Sequence, residues 1–175
     1  QMCIRDRNGT RLGILGMGRI GRKIASIAKS LGMTIHYHNR SKLSKDKEDG
    51  ATFHEDLKSL LNVSDVLSVC CPATKETTNL INKETLEHLP PGAVVTNVAR
   101  GDIVNDEALI EALNSRKVYA VGLDVYKGEP NLNPGYLKHK SAFILPHLGS
   151  ASKHTRTAMA NLAIDNIDEF FKTGD

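Results

Sequence analysis

Short, nearly continuous apolar runs alternate along the chain with amphipathic stretches and polar turns. Residues 11–15, 34–38, 65–70, 93–97, 118–125 and 142–145 are rich in Val, Ile, Leu and Tyr, the pattern of strands buried in a parallel sheet. Helical spacing fills the intervals. At 22–31, Ile24, Ile27, Ala28 and Leu31 share one face before Gly32 stops the run. Residues 53–61 form a short amphipathic segment through Leu57, Leu60 and Leu61, and residues 77–89 hold a short helix ahead of the Pro90-Pro91-Gly92 turn. Leu109, Ile110 and Leu113 mark a helix at 106–115, and a last helix is expected from about Ser152 to Lys172. Residues 39–50 are polar and read as loop. Six strands alternating with helices predict an α/β fold, a doubly wound parallel sheet with helices on both faces and right-handed crossovers.

The joint between the first run and the first helix narrows this. In Arg11-Leu-Gly-Ile-Leu-Gly16-Met-Gly18-Arg19-Ile20-Gly21 three glycines stand at G-x-G-x-x-G spacing. Gly16 suits the tight turn out of the strand, Gly18 lets backbone approach a pyrophosphate, and Gly21 lets the helix pack closely on the strand. Backbone N–H groups and the positive end of the helix dipole then face the anion. Strand, glycine turn, helix and strand complete a βαβ unit. The expected fold is therefore Rossmann-type, and the expected ligand a dinucleotide.

Composition adds bounds. The chain has 175 residues, 40% hydrophobic and 25% charged, which suits one soluble domain. Its net charge of +3 comes from scattered lysines and arginines, arguing against a nucleic-acid partner. No apolar run reaches the ~18 residues of a membrane span and no signal segment opens the chain, so a cytoplasmic location is expected. Cys3, Cys70 and Cys71 form neither a disulfide framework nor a metal set, and no metal site is expected. Residues 1–7 connect poorly with the rest of the chain and resemble translated adapter sequence. Residues 1–9 are therefore set apart as non-native or linker, and the domain is expected at 10–175.

Three further segments carry more specific chemistry: Asn97-Val98-Ala99-Arg100-Gly-Asp-Ile-Val104, Gly122-Leu-Asp124-Val-Tyr-Lys-Gly-Glu129-Pro130, and Leu145-Pro146-His147-Leu-Gly149-Ser150. With the glycine motif, and in this order, they resemble the D-isomer-specific 2-hydroxyacid dehydrogenases, closest to the glyoxylate and hydroxypyruvate reductases. The likeness runs from Thr10 to Phe171. It implies that Arg100, Glu129 and His147 are catalytic and that the substrate is a small 2-keto or 2-hydroxy acid. It also implies that Asp124 contacts the nicotinamide carboxamide, with backbone near Val98 and Ala99 as a second contact. Asp124 also reads as a simple cap on the next turn. The Cys71-Pro72 loop is implied to line the adenosine side, with strand termination as its plain alternative. Gly149, in the motif around His147, joins the expected cofactor contacts.

The trio suits the reduction of a 2-keto acid. Hydride arriving at a carbonyl carbon builds negative charge on its oxygen, and His147 can deliver a proton there near neutral pH. Glu129 bonded to the imidazole would orient it and favour its protonated form. The Arg100 guanidinium offers a planar fork to a carboxylate and can polarise the carbonyl.

At the end of the second run, where NAD-preferring folds commonly place an acid, the chain has Asn39, Arg40, Ser41 and Lys42, with no carboxylate until Asp46. Arg40 can pair with a 2′-phosphate and Ser41 can donate to it. NADP is thus expected as the preferred cofactor, with NAD as the alternative.

The resemblance implies a second, substrate-binding domain largely absent here, a parent that is a homodimer, and low turnover by the chain alone. Rival readings are a non-enzymatic dinucleotide-sensing module of the corepressor kind, or a D-lactate, phosphoglycerate or formate dehydrogenase. The phosphoglycerate enzymes usually carry the acid missing after the second run, and formate dehydrogenases replace the Glu with Gln.

Overall fold

The structure is a computed structural model and describes residues 8–174. Seven parallel strands form one sheet in the order β3-β2-β1-β4-β5-β6-β7. They are β1 (Arg11–Leu15), β2 (Thr34–His38), β3 (Thr52–Phe53), β4 (Val66–Val69), β5 (Ala93–Asn97), β6 (Val118–Leu123) and β7 (Ala142–Ile144). Helices α1 (Arg19–Ser30), α2 (Lys45–Glu48), α3 (Leu57–Asn62), α4 (Lys83–Glu87), α5 (Asp106–Asn114) and α6 (Lys153–Thr173) connect and follow them. The strand order reverses between β1 and β4, where open α/β sheets place their ligand crevice.

Several boundaries differ from the sequence expectation, each for a local reason. The sheet has a seventh strand: β3 pairs with β2 through His36 and Tyr37, but two residues are too few to show a period. The amphipathic segment at 53–61 splits accordingly, because Asp56 accepts the Ser59 N–H and starts α3 only at Leu57. Inside the polar 39–50 stretch, Lys45–Glu48 form one helical turn. The helix expected at 77–89 contracts to Lys83–Glu87: Asn82 and Thr85 cap each other reciprocally, while the Thr77 hydroxyl donates to Pro72 O and holds the preceding segment as a turn. Cys3 and residues 1–7 lie outside the described residues. Gly9 N donates to Gly32 O at 2.9 Å.

Two buried clusters flank the sheet. One face of β1, β4, β5 and β6 meets α3, α4 and α5 through Leu15, Leu60, Leu67, Val95, Leu109 and Val121, among others. The smaller one packs α1 through Ala25 and Ala28 against Leu12, Ile14, Ile35 and Tyr37. Strand registers carry this second face on from Val66, which packs against the α1 cluster, through Val94 and Ala120 to Phe143. Phe143 is 67% exposed there, and α6 buries none of its residues. At the β2–β3 edge three histidines meet: His36 Nδ1 lies 3.0 Å from His54 Nε2, and His38 Nδ1 lies 2.9 Å from His54 O. Among the described residues no helix is long and apolar enough to cross a membrane, and no group of three or more His, Cys, Asp or Glu could hold a metal ion.

Candidate active site

Every motif read from the sequence lies at the C-terminal ends of the strands, and side chains at those ends tie the loops to one another. The glycine turn comes first. Gly16 has φ +95°, and a Cβ there would sit 2.5 Å from the backbone of Cys71, so the turn out of β1 and the loop after β4 touch only because this residue is glycine. At Gly21 a Cβ would meet Gly16 O at 2.6 Å, which accounts for the close packing of α1. Gly18 differs: a Cβ added there meets nothing within 4 Å, so the space beside it is open. Gly18 is also the N-cap of α1, where no side chain caps the helix and no acid stands in the first turn. The helix begins at Arg19, three residues earlier than the apolar spacing indicated, so Arg19, Ile20 and Gly21 form its first turn. An open space against an uncapped, unopposed helix N-terminus fits a pyrophosphate.

Around this turn, Asn39 Oδ1 accepts Met17 N at 2.7 Å, and His38 O accepts Gly16 N at 3.0 Å. The Asn39 carbonyl oxygen is thereby committed to the glycine turn, and its amide group is the part left to face a ligand. Arg40 and Ser41 are exposed just beyond it. Cys71 is buried and Pro72 exposed on the facing loop. Burial pushes the Cys71 thiol up to about 11, and burial raises Cys70 as well, so both behave as core groups rather than as nucleophiles.

The second half of the rim is built around Asn97 and Asp124. Asn97, the last residue of β5, is 1% exposed. Its Oδ1 accepts Ala99 N at 3.0 Å and its Nδ2 donates to Arg100 O at 2.8 Å, which curls Val98, Ala99 and Arg100 over the strand end. Gly101 then passes so close to the next loop that a Cβ would fall 2.1 Å from Tyr126 C. Tyr126 N in turn donates to Glu129 Oε1 at 3.1 Å, and Glu129 Oε2 lies 2.9 Å from His147 Nδ1. A continuous path of contacts thus runs from the residue after Arg100 to the imidazole. Arg100 itself is exposed, with Nη1 donating to Ala99 O at 2.6 Å.

Asp124 follows β6, and its carboxylate bonds the backbone of the loop after β7 rather than the turn that comes next in the chain. Oδ1 accepts Leu148 N at 2.7 Å, Oδ2 accepts Gly149 N at 2.9 Å, and its carbonyl accepts His147 N at 2.9 Å. His147 sits at φ +56°, a left-handed conformation that these bonds hold in place. Any nicotinamide contact made by Asp124 has to share oxygens already bonded to the loop. With Glu129 on Nδ1, the Nε2 of His147 is the ring nitrogen left to face a substrate.

The structure therefore brings His147 and Glu129 into direct contact, places Arg100 on the neighbouring loop, and sets the glycine turn, Asn39, Arg40, Ser41 and Cys71-Pro72 on the other half of the same sheet edge. Asn97, Gly101 and Tyr126 are working parts that sequence reasoning did not single out. The signal for Asn97 was present, since a lone amide ends a strand whose other residues are apolar or Thr.

Comparison with known proteins decides the family. The model for the NAD-binding domain of D-isomer-specific 2-hydroxyacid dehydrogenases matches residues 1–149. The chain belongs to that family. It is 43% identical over 166 residues to a glycerate dehydrogenase from Hyphomicrobium methylovorum, covering 94% of this chain and 52% of that protein. It superposes with a TM-score of 0.92 on a crystal structure of a glyoxylate reductase from Paecilomyes thermophila, at 42% identity, covering 98% of this chain and 52% of that one. It also superposes, with a TM-score of 0.90 at 37% identity, on an NADPH-dependent glyoxylate/hydroxypyruvate reductase from Sinorhizobium meliloti in complex with NADP and malonate, over 95% of this chain and 51% of that one. The chain thus spans about half the length of the relatives it matches. The family model covers the glycine turn, Arg100, Glu129 and His147 alike.

Proposed function

We propose that this domain holds the dinucleotide and supplies the catalytic groups of a 2-keto acid reductase acting on glyoxylate or hydroxypyruvate, with NADPH preferred over NADH. The observation that carries the reading is the 2.9 Å contact between Glu129 and His147 on the same sheet edge as the glycine turn. A bound nicotinamide would supply the hydride; substrate anchoring and proton delivery fall to residues of this chain. Arg100 meets the substrate carboxylate with a planar fork and polarises the carbonyl. Nε2 of His147 delivers the proton to the oxygen as charge builds there, and Glu129 on Nδ1 holds the ring in orientation. Asp124 and Asn97 hold the two loops in register. The open space beside Gly18 and the uncapped start of α1 suit the pyrophosphate.

The preference for NADPH is supported by Arg40 and Ser41 at the end of β2, with Asn39 in place of an acid. A charged hydrogen bond contributes about 1.5–3 kcal/mol, so Arg40 alone corresponds to roughly tenfold to a hundredfold discrimination. The Sinorhizobium relative, described as NADPH-dependent, supports the same choice. We also assign a cytoplasmic location and a homodimeric parent enzyme to this reading.

The test is a hybrid in which residues 8–174 replace the matching half of the Hyphomicrobium glycerate dehydrogenase. Reduction of glyoxylate or hydroxypyruvate is expected, with higher kcat/KM for NADPH than for NADH. Arg100→Ala and His147→Ala should sharply lower turnover while dinucleotide binding persists. A folded hybrid that binds dinucleotide but reduces no 2-keto acid would overturn the reading. The chain alone is expected to bind dinucleotide weakly and turn over little, since domain closure normally excludes water and aligns the reactants.

A further inference from the structure

The segment that carries Arg40 and Ser41 has almost no apolar surface of its own, yet it is tied at both ends. At its start, Asn39 Oδ1 accepts Met17 N at 2.7 Å. At its far end the tie is Tyr37, a residue of β2 with no exposed surface. The Tyr37 hydroxyl accepts Leu43 N at 3.0 Å and donates to Glu48 Oε1 at 2.5 Å. One buried oxygen thus bonds both to the backbone just after Lys42 and to α2, folding residues 40–48 back over the strand that precedes them. The ring has little freedom, being packed against Phe53 at a centroid distance of 5.3 Å. Glu48 also faces Lys42 Nζ at 4.0 Å, which turns that lysine toward α2. Arg40 and Ser41 are left as the exposed cation and hydroxyl between the two ties.

We propose that the Tyr37 hydroxyl is a positioning group for recognition of a 2′-phosphate: by holding Leu43 and Glu48 it fixes the arc on which Arg40 and Ser41 meet the phosphate, and so sets the preference between the two dinucleotides. This rests on the reading that Arg40 and Ser41 face that phosphate. A guanidinium fork discriminates only when its approach is fixed, because a mobile arginine gives back in ordering entropy what it gains in charge. Removing the hydroxyl leaves the ring packing and the pyrophosphate cradle in place. The contacts common to both dinucleotides are therefore spared.

The test is equilibrium titration of the 175-residue chain and of Tyr37→Phe with NADP+ and with NAD+, alongside hydrogen exchange at the Leu43 amide. The wild-type chain should favour NADP+ by about tenfold or more, as expected from Arg40. In Tyr37→Phe the ratio should fall about three- to tenfold through weaker NADP+ binding, and the Leu43 amide should exchange faster. A wild-type preference that persists unchanged in a folded Tyr37→Phe overturns the positioning role and leaves the Arg40 reading standing. A wild-type chain without preference for NADP+ overturns the Arg40 reading, and the proposal falls with it. Should Tyr37→Phe fail to fold, Glu48→Ala combined with Lys42→Ala removes the carboxylate end of the tie without releasing the lysine. The same fall in the ratio is expected there, and an unchanged ratio overturns the proposal.

Discussion

Asn97→Ala is the sharpest probe of the loop that carries Arg100. The side chain is 1% exposed and makes two hydrogen bonds, one as acceptor from Ala99 N and one as donor to Arg100 O. Each such bond contributes about 0.5–1.5 kcal/mol net, and a partner left buried and unmet costs up to about 3 kcal/mol. Ala99 is only half-buried and Arg100 is exposed, so water can reach the freed groups and the lower range applies. The expected loss is about 2 kcal/mol, which for a chain of this size is about 4–8 °C in Tm. Asn97→Asp distinguishes the bonds from mere volume. It keeps the shape and the acceptor for Ala99 N but replaces the donor with an oxygen facing Arg100 O. A buried carboxylate in that position is costly when ionised, so Asn97→Asp should be less stable relative to wild type at pH 8 than at pH 5. Urea denaturation followed by circular dichroism at both pH values reads out each quantity. An Asn97→Ala loss below about 0.5 kcal/mol, or an Asn97→Asp variant that gains on wild type as pH rises, would refute the account.

Four other outcomes are expected. Gly16→Ala drives a Cβ to 2.5 Å from the Cys71 backbone at φ +95°, so the variant should lose dinucleotide binding and more than about 2 kcal/mol of stability; near wild-type titration by NADP+ would contradict this. In the hybrid enzyme, His147→Ala should cost about 10²–10⁴ in kcat with an unchanged dinucleotide Kd, and a parallel loss of binding would reassign the residue to structure. Tyr136→Phe leaves the buried Asp106 carboxylate without the hydroxyl that donates to it at 2.9 Å, and should cost about 1–3 kcal/mol by thermal unfolding, a neutral result counting against the pair. Acid should weaken the fold through the histidines of the β2–β3 edge. His36 and His54 are both held below the ordinary range, first by burial and then, for His36, by the charge of His54. A depressed folded value means stability that is full above the unfolded pKa of about 6.5 and is lost as pH falls through the folded value. The urea midpoint should therefore drop between pH 7.5 and 5.5, and less so in His54→Gln; equal drops would exclude these rings as the cause.

The sequence made the sheet legible because parallel strands buried on both faces are written as unbroken apolar runs, and each of the six expected strands is present. What it concealed was short or held by backbone. β3 is two residues, and α2 is four residues without a buried side chain, so neither carries a period. The early start of α1 was hidden because its first turn lies inside the glycine motif, where spacing speaks for the ligand rather than for the helix. In the site, Glu129 and His147 were paired only through the family-like motifs that carry them, and the structure sets them in contact. Asn97 and Gly101 act on neighbouring backbone, one by bonding to it and one by making room for it, and residue type alone does not say which backbone that is. Asp124 shows the same limit: a carboxylate after a strand suits a ligand or a loop, and only the positions of Leu148 and Gly149 show it bonded to the loop.

One device recurs along the whole rim. Asn39 after β2, Asn97 at the end of β5, Asp124 after β6 and Glu129 beyond it each present a side-chain oxygen to a backbone N–H of a nearby loop: Met17, Ala99, Leu148 with Gly149, and Tyr126. Strands in a parallel sheet all end on the same edge with carbonyls and loops to satisfy, so short amide and acid side chains there act as cross-ties. All four ties are made by or adjoin a candidate chemical group: the glycine turn, Arg100, His147 and Glu129 itself. Loops tied in this way are shaped before any ligand arrives, and the ordering cost is met in folding rather than in binding or in the transition state. A left-handed His147 and an uncapped α1 persist on the same sheet edge: the fold concentrates its local strain and its unmet N–H groups there, where the dinucleotide-binding motif lies.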